Sequence, residues 1–98
     1  KDMRVALEST RVLCRMGLVR PEIRNQIVSV PGFISAVEMT VRSGFSVLII
    51  EVVRFLSSVV SSLPTFATKE QLESLRSSLI DSQSPDAIQL ASSIHHHL

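Results

Sequence analysis

Three groups of residues in this chain have the types and spacing to do chemistry. The first is the run His95, His96 and His97. Adjacent residues on a helix point about 100° apart, so the three rings cannot converge on one ion, and no Cys or acidic cluster adjoins them to complete a ligand set. The run reads as a solvated helix end or as a remnant of an expression tag. The second is Cys14, on the flank of an amphipathic segment beside Arg11 and Arg15, cations that can lower a thiol pKa. No pattern places His and Asp or Asn beside it, so it reads as a small core or interface residue and not as a nucleophile. The third is a repeated charge pair, Glu8/Arg11 and Glu51/Arg54, each at i and i+3, where opposite charges on one helix face can meet.

The chain offers no Gly-rich phosphate loop, no zinc spacing and no paired carboxylates in a recognisable setting. The expectation is therefore a protein that is not an enzyme and uses no cofactor or metal. Ten basic and nine acidic residues leave a net charge of +1. Without a basic patch or aromatic interleaving, this balance argues against nucleic acid as a partner. A single cysteine excludes an internal disulfide and fits a reducing, intracellular setting, cytoplasmic or nuclear. Ser84-Pro85 could accept proline-directed phosphorylation at a helix N-terminus, where negative charge is favourable.

The elements that must position these groups are helices. Residues 44–63 form the most apolar stretch, with Ser46 as N-cap and Pro64 as stop. Val47, Ile50, Val53, Leu56 and Val60 fall at helical spacing, and neighbouring apolar residues widen the stripe, so the helix must be covered from more than one side. Its length approaches the roughly 20 residues of a bilayer span, but Glu51 and Arg54 near its centre make it a buried helix of a water-soluble core, with no membrane span. Residues 47–53 have a composition that a buried strand would share. Lys1 or Asp2 opens a first helix to about Met16, with Gly17 as its C-terminal signal. Pro21 starts a short helix to Val30, and Pro31-Gly32 breaks it. Further helices are expected over residues 33–42, from Lys69 (N-cap Thr68) to Asp81, and from Ser84-Pro85 onward. At 45% hydrophobic, with four Phe and no Trp or Tyr, the core is aliphatic.

Self-comparison finds an internal repeat. A shift of 43 lays Glu8 on Glu51 and Arg11 on Arg54; a shift of 38 lays Ile34, Val37 and Val41 on Leu72, Leu75 and Leu79. The same shift of 38 lays Ile50, Val53, Leu56 and Val60 on Ile88, Ala91, Ile94 and Leu98. Residues 20–61, RPEIRNQIVSVPGFISAVEMTVRSGFSVLIIEVVRFLSSVVS, carry a short helix, a Gly, a second helix, a small turn and a long third helix. In this order they resemble the armadillo/HEAT superfamily. The resemblance implies an all-α, right-handed stack of about five to six helices, roughly two repeats plus a preceding helix. Residues 1–19 would be the last helix of a preceding repeat, residues 20–63 a full repeat and residues 64–98 a degenerate one, excerpted from a longer protein. The second unit departs from the pattern in lacking a clear short helix and its Gly. The asparagine of peptide-binding armadillo proteins is also absent from the third helix, with Ser57 or Ser58 near its place.

The resemblance implies a scaffold for a protein partner, docked on the third-helix face. Glu8, Arg11, Arg15, Glu51, Arg54 and Ser58 would form a partner-binding charge ladder there, or else ordinary surface ion pairs of about 0–1 kcal/mol. Apolar stripes on the terminal helices (Val5, Val12, Leu13 and Met16 at one end, Ile88, Ile94 and Leu98 at the other) read as self-association surfaces of a homodimer or as contacts to further repeats. A helical oligomerisation module and a regulatory domain of a larger protein are the alternatives.

Overall fold

A computed structural model describes residues 3–97, and all secondary structure in it is helical, with no strand among the described residues. Helix α1 spans Met3–Val19; a 3-10 turn, Pro21–Ile23, leads into α2, Arg24–Val28. Then come α3, Phe33–Arg42, and α4, Ser46–Val59. A second 3-10 turn, Val60–Ser62, runs into the single-turn α5, Leu63–Phe66. Helices α6, Lys69–Asp81, and α7, Pro85–His96, complete the chain. The expected start of α1 at Lys1 or Asp2 lies outside the described residues.

Local chemistry accounts for the boundaries. Thr68 caps α6 with a capping box, its hydroxyl accepting from the Gln71 amide at 3.1 Å while the Gln71 side chain accepts from the Thr68 amide at 2.8 Å. Gly32 enters α3 at φ 83°, a left-handed conformation that costs glycine little. Three expected boundaries are corrected. The residue capping α4 is Phe45, and Ser46 is the first helical residue. Pro64 does not stop the chain's helical course; it sits in the first turn of α5, where its missing N–H has no partner to lose. Gly17 lies inside α1, two residues before its end. There the carbonyls of Gly17 and Leu18 accept from Arg24 Nε (2.6 Å) and Nη2 (3.3 Å), so an arginine serves the end that a glycine was expected to close. Gly17 is needed for closeness instead: a Cβ there would overlap the Phe55 ring.

Helix α4 is the central element. It packs against α1 on one flank and α7 on the other, while α3 packs against α6, α1 and α4, and α6 pairs with α7. The result is two layers, α1–α4–α7 over α3–α6. Phe55, Leu56 and Val52 of α4 are fully enclosed, and the Phe55 ring meets Phe33 edge-on at 5.7 Å. The buried face of α4 is Ile49, Val52, Val53, Phe55, Leu56 and Val59. Val47 and Ile50, expected inside, are exposed, so the true apolar stripe is rotated away from them. By length and composition alone, Ser46–Phe66 is apolar enough to cross a bilayer.

The two layers carry an internal correspondence. The α3–α4 and α6–α7 turns have one hydrogen-bond pattern at an offset of 39 (Ser43 to Ser82). Ser43 Oγ donates to the Thr40 carbonyl and Ser82 Oγ to the Leu79 carbonyl, both at 2.6 Å. The next residue is left-handed in each, Gly44 at φ 80° and Gln83 at φ 60°. Burial superposes at 38: Ile34, Val37, Thr40 and Val41 fall on Leu72, Leu75, Ser78 and Leu79, all buried. Ile49, Val52, Val53 and Leu56 fall likewise on Ala87, Leu90, Ala91 and Ile94.

Candidate interaction surface

Helix α1 corresponds to α4 at an offset of 42 (Leu7 to Ile49). Buried Leu7, Thr10, Cys14 and Gly17 fall on buried Ile49, Val52, Leu56 and Val59. Exposed Val5, Glu8, Val12 and Met16 fall on exposed Val47, Ile50, Arg54 and Ser58. The equivalence of Glu8 with Glu51, read at 43, is therefore one residue out of phase, and the two carboxylates have opposite environments.

Glu51 is buried in the α1–α4 junction and faces α1. Arg15 donates to its Oε1 from Nε and Nη2, both at 2.8 Å, and Arg11 donates from Nε to its Oε2 at 3.1 Å. Glu8 meets Arg11 Nη1 at 3.5 Å, so Glu8, Arg11, Glu51 and Arg15 form one network clasping the two helices. Both oxygens of Glu51 are thus engaged within the chain. The expected pairing of Glu51 with Arg54 is not made. Three residues along a helix is about 300° of rotation, enough here to turn Glu51 toward α1 and Arg54 toward α7. The α3–α6 junction has a comparable clasp, in which Glu38 accepts from Ser74 (2.6 Å) and pairs with Arg42 (2.7 Å), while Arg42 Nε donates to Ser78 Oγ (3.0 Å).

Arg54 is exposed and makes no ion pair among the described residues. It borders a cleft of about 490 Å³ between α4 and α7, lined also by Ser57, Asp86, Gln89 and Ser93. Ser58 is exposed, its hydroxyl donating to the Phe55 carbonyl at 2.5 Å. The exposed face of α4 thus runs from Val47 and Ile50 through Arg54 to Ser57 and Ser58. A second cleft of about 440 Å³, mostly apolar, lies between α1 and the start of α4, where Phe45, Val47 and Leu48 face Leu7, Glu8 and Arg11.

The remaining candidates divide sharply. Val5, Val12 and Met16 are exposed, and Val19 joins them as an exposed residue that sequence reasoning missed. Leu13 is half-buried against the core. Ile94 is a correction: it is enclosed, because it shares with Ala87, Leu90 and Ala91 the face of α7 that packs on α6 and α4. Leu98 lies outside the described residues. Cys14 is also corrected in sign. Burial, with the Glu51 carboxylate adding to it, pushes its thiol up to about 12, whereas Arg11 and Arg15 had suggested a depressed value. Both arginines direct their Nε to Glu51. His95, His96 and His97 are exposed, and no group of three His, Cys, Asp or Glu residues comes together among the described residues. Among the described residues, Arg76 Nε is an enclosed polar atom without a hydrogen-bond partner.

Compared with known proteins, the chain matches no family model, no curated relative and no solved structure.

Proposed function

We propose that this chain is a non-catalytic scaffold that holds a protein partner on the outer face of the α1–α4–α7 layer. Its architecture would be an armadillo/HEAT-like, right-handed helical stack, with α4 as a core helix and not a membrane span. The stack reading is supported by the duplicated turn at Ser43 and Ser82 and by the common burial phase of α3 with α6 and α4 with α7. It is supported further by the junction contacts: Arg11 and Arg15 reach Glu51 across 40 and 36 residues, and Glu38 reaches Ser78 and Ser74 across the same separations. Quasi-one-dimensional stacks make such neighbour contacts one period apart.

The observation that carries the function is the outer face of α4. Val47 and Ile50 stand in solvent beside an unpaired Arg54 at the mouth of a cleft. Large apolar side chains next to a cation suit a partner segment with an apolar anchor and a nearby carboxylate. Peptides selected from a random display library against the folded protein provide the test. Binding that is lost in Arg54→Glu and Ile50→Asp, with helicity unchanged, supports the reading. Binding that both variants retain places the partner elsewhere and overturns it.

A further inference from the structure

Helix α1 has two apolar faces. Leu7, Cys14 and Gly17 point into the core, and on the opposite side Val5, Val12, Met16 and Val19 are 63%, 52%, 45% and 80% exposed. The three valines recur every seven residues, close to two full turns, so they form one straight ridge with Met16 beside it. An ordinary surface helix has one such stripe. A second, on the same helix, wants a second cover.

The charges beside the ridge say what that cover is. Glu8 and Arg15 lie on one flank of it, symmetrically about Val12 to within a residue, and their side chains are 60% and 59% exposed. Arg15 directs Nε and Nη2 to Glu51, which leaves Nη1 free to reach outward. We infer that α1 packs antiparallel against α1 of a second copy, about a two-fold axis at Val12. In this isologous arrangement Val12 meets Val12 of the second copy, and Val5 meets Val19. Glu8 of each chain comes level with Arg15 of the other, giving two symmetric ion pairs. A parallel pairing, related by an axis along the helices, carries the charged flank of one chain to the side opposite that of the other, so neither Glu8 nor Arg15 gains an interchain partner. The second copy is thus specified by charge complementarity as well as by apolar area. The inference does not depend on a partner at Arg54.

Light scattering after size exclusion, over a roughly hundredfold dilution, reads the association. The expected mass at the highest concentration is twice the 10.8 kDa of one chain. Val12→Asp, at an exposed position, should be monomeric throughout with unchanged helicity. Glu8→Arg should weaken association roughly tenfold by turning both attractions into repulsions. Cysteine cross-linking reads the register: Val12→Cys should form a disulfide with its own copy, and Val5→Cys only when mixed with Val19→Cys. Cys14 is enclosed and does not compete. A monomer at every concentration overturns the inference, as does a dimer that survives Val12→Asp. A disulfide between two Val5→Cys chains refutes the antiparallel register. Because the exposed faces of α1 and α4 lie on the same side of one layer, the display test at Arg54 is run on the monomeric Val12→Asp protein, which keeps the failure of one reading separate from the failure of the other.

Discussion

Replacing Gly17 with alanine sets two magnitudes against each other. Alanine is favoured over glycine in a helix interior by about 1 kcal/mol, so an exposed helical glycine gains stability from the change. Gly17 is buried in α1, and its new Cβ would overlap Cε1 of the Phe55 ring, lie 2.8 Å from Cδ1, and sit 3.2 Å from Ile27 Cδ1. The ring cannot retreat. Phe55 is fully enclosed, and its other side is held edge-on by Phe33. Overpacking of this kind costs about 1–3 kcal/mol, and more when backbone must move. An overlap this deep takes the upper half of that range, about 2–3 kcal/mol, so the clash wins and Gly17→Ala should lose about 1–2 kcal/mol net of the propensity gain. Chemical denaturation followed by circular dichroism measures it, and the melting temperature should fall by roughly 4–16 °C. The cause is separable by a double-mutant cycle with Phe55→Leu, in which the two changes together should cost at least about 1 kcal/mol less than their sum. A stabilised Gly17→Ala protein would refute the packing of α1 on α4.

Glu51→Ala leaves Arg11 and Arg15 converging without their shared acceptor and should cost about 1–3 kcal/mol in denaturant unfolding, whereas Arg54→Ala, on the solvent face, should fall within about 0.5 kcal/mol of wild type. Cys14 should resist thiol reagents at pH 8 in the native protein and react on unfolding. Its folded pKa is raised from 9.0 to about 12, so below pH 9 it contributes nothing to pH dependence. Above that the unfolded thiol ionises while the folded one stays protonated, and stability falls by up to roughly 1.4 kcal/mol per pH unit. Cys14→Ala should lack this alkaline component of a pH titration of stability. Arg76→Met, which removes the enclosed donor without a partner, should be neutral or stabilising by about 1 kcal/mol in the same denaturation assay.

The sequence made the helices legible where local chemistry announces them. Residues 33–42 and 69–81 coincide with α3 and α6 because glycine, a capping box and clean periodicity mark their ends. Gly17 and Pro64 misled because each residue type has a second use. Glycine also permits close packing, and proline also begins a helical turn. The common burial phase of α3 with α6 and of α4 with α7 is readable as apolar spacing, but broad apolar faces tolerate a slip of one residue, about 100° of rotation. The offset between α1 and α4 was accordingly misread by one. The slip mattered little for the core and decided the site, since it equated buried Glu51 with exposed Glu8. Nothing in the spacing of Glu51 and Arg54 reveals that α1 supplies the partner for one and α7 the cleft beside the other. That depends on which helices flank α4, a long-range fact. Val19 falls outside the helix that the sequence predicts, because a stop at Gly17 would end α1 before it.

Chemical-shift mapping locates a docked partner on the outer face of α4 residue by residue. Backbone amide spectra would be recorded while a display-selected peptide is titrated into the folded protein. The largest perturbations should fall on Val47, Ile50, Arg54, Ser57 and Ser58, with α7 residues across the cleft next. Perturbations confined to α3 and α6, with that face of α4 unmoved, would contradict docking there.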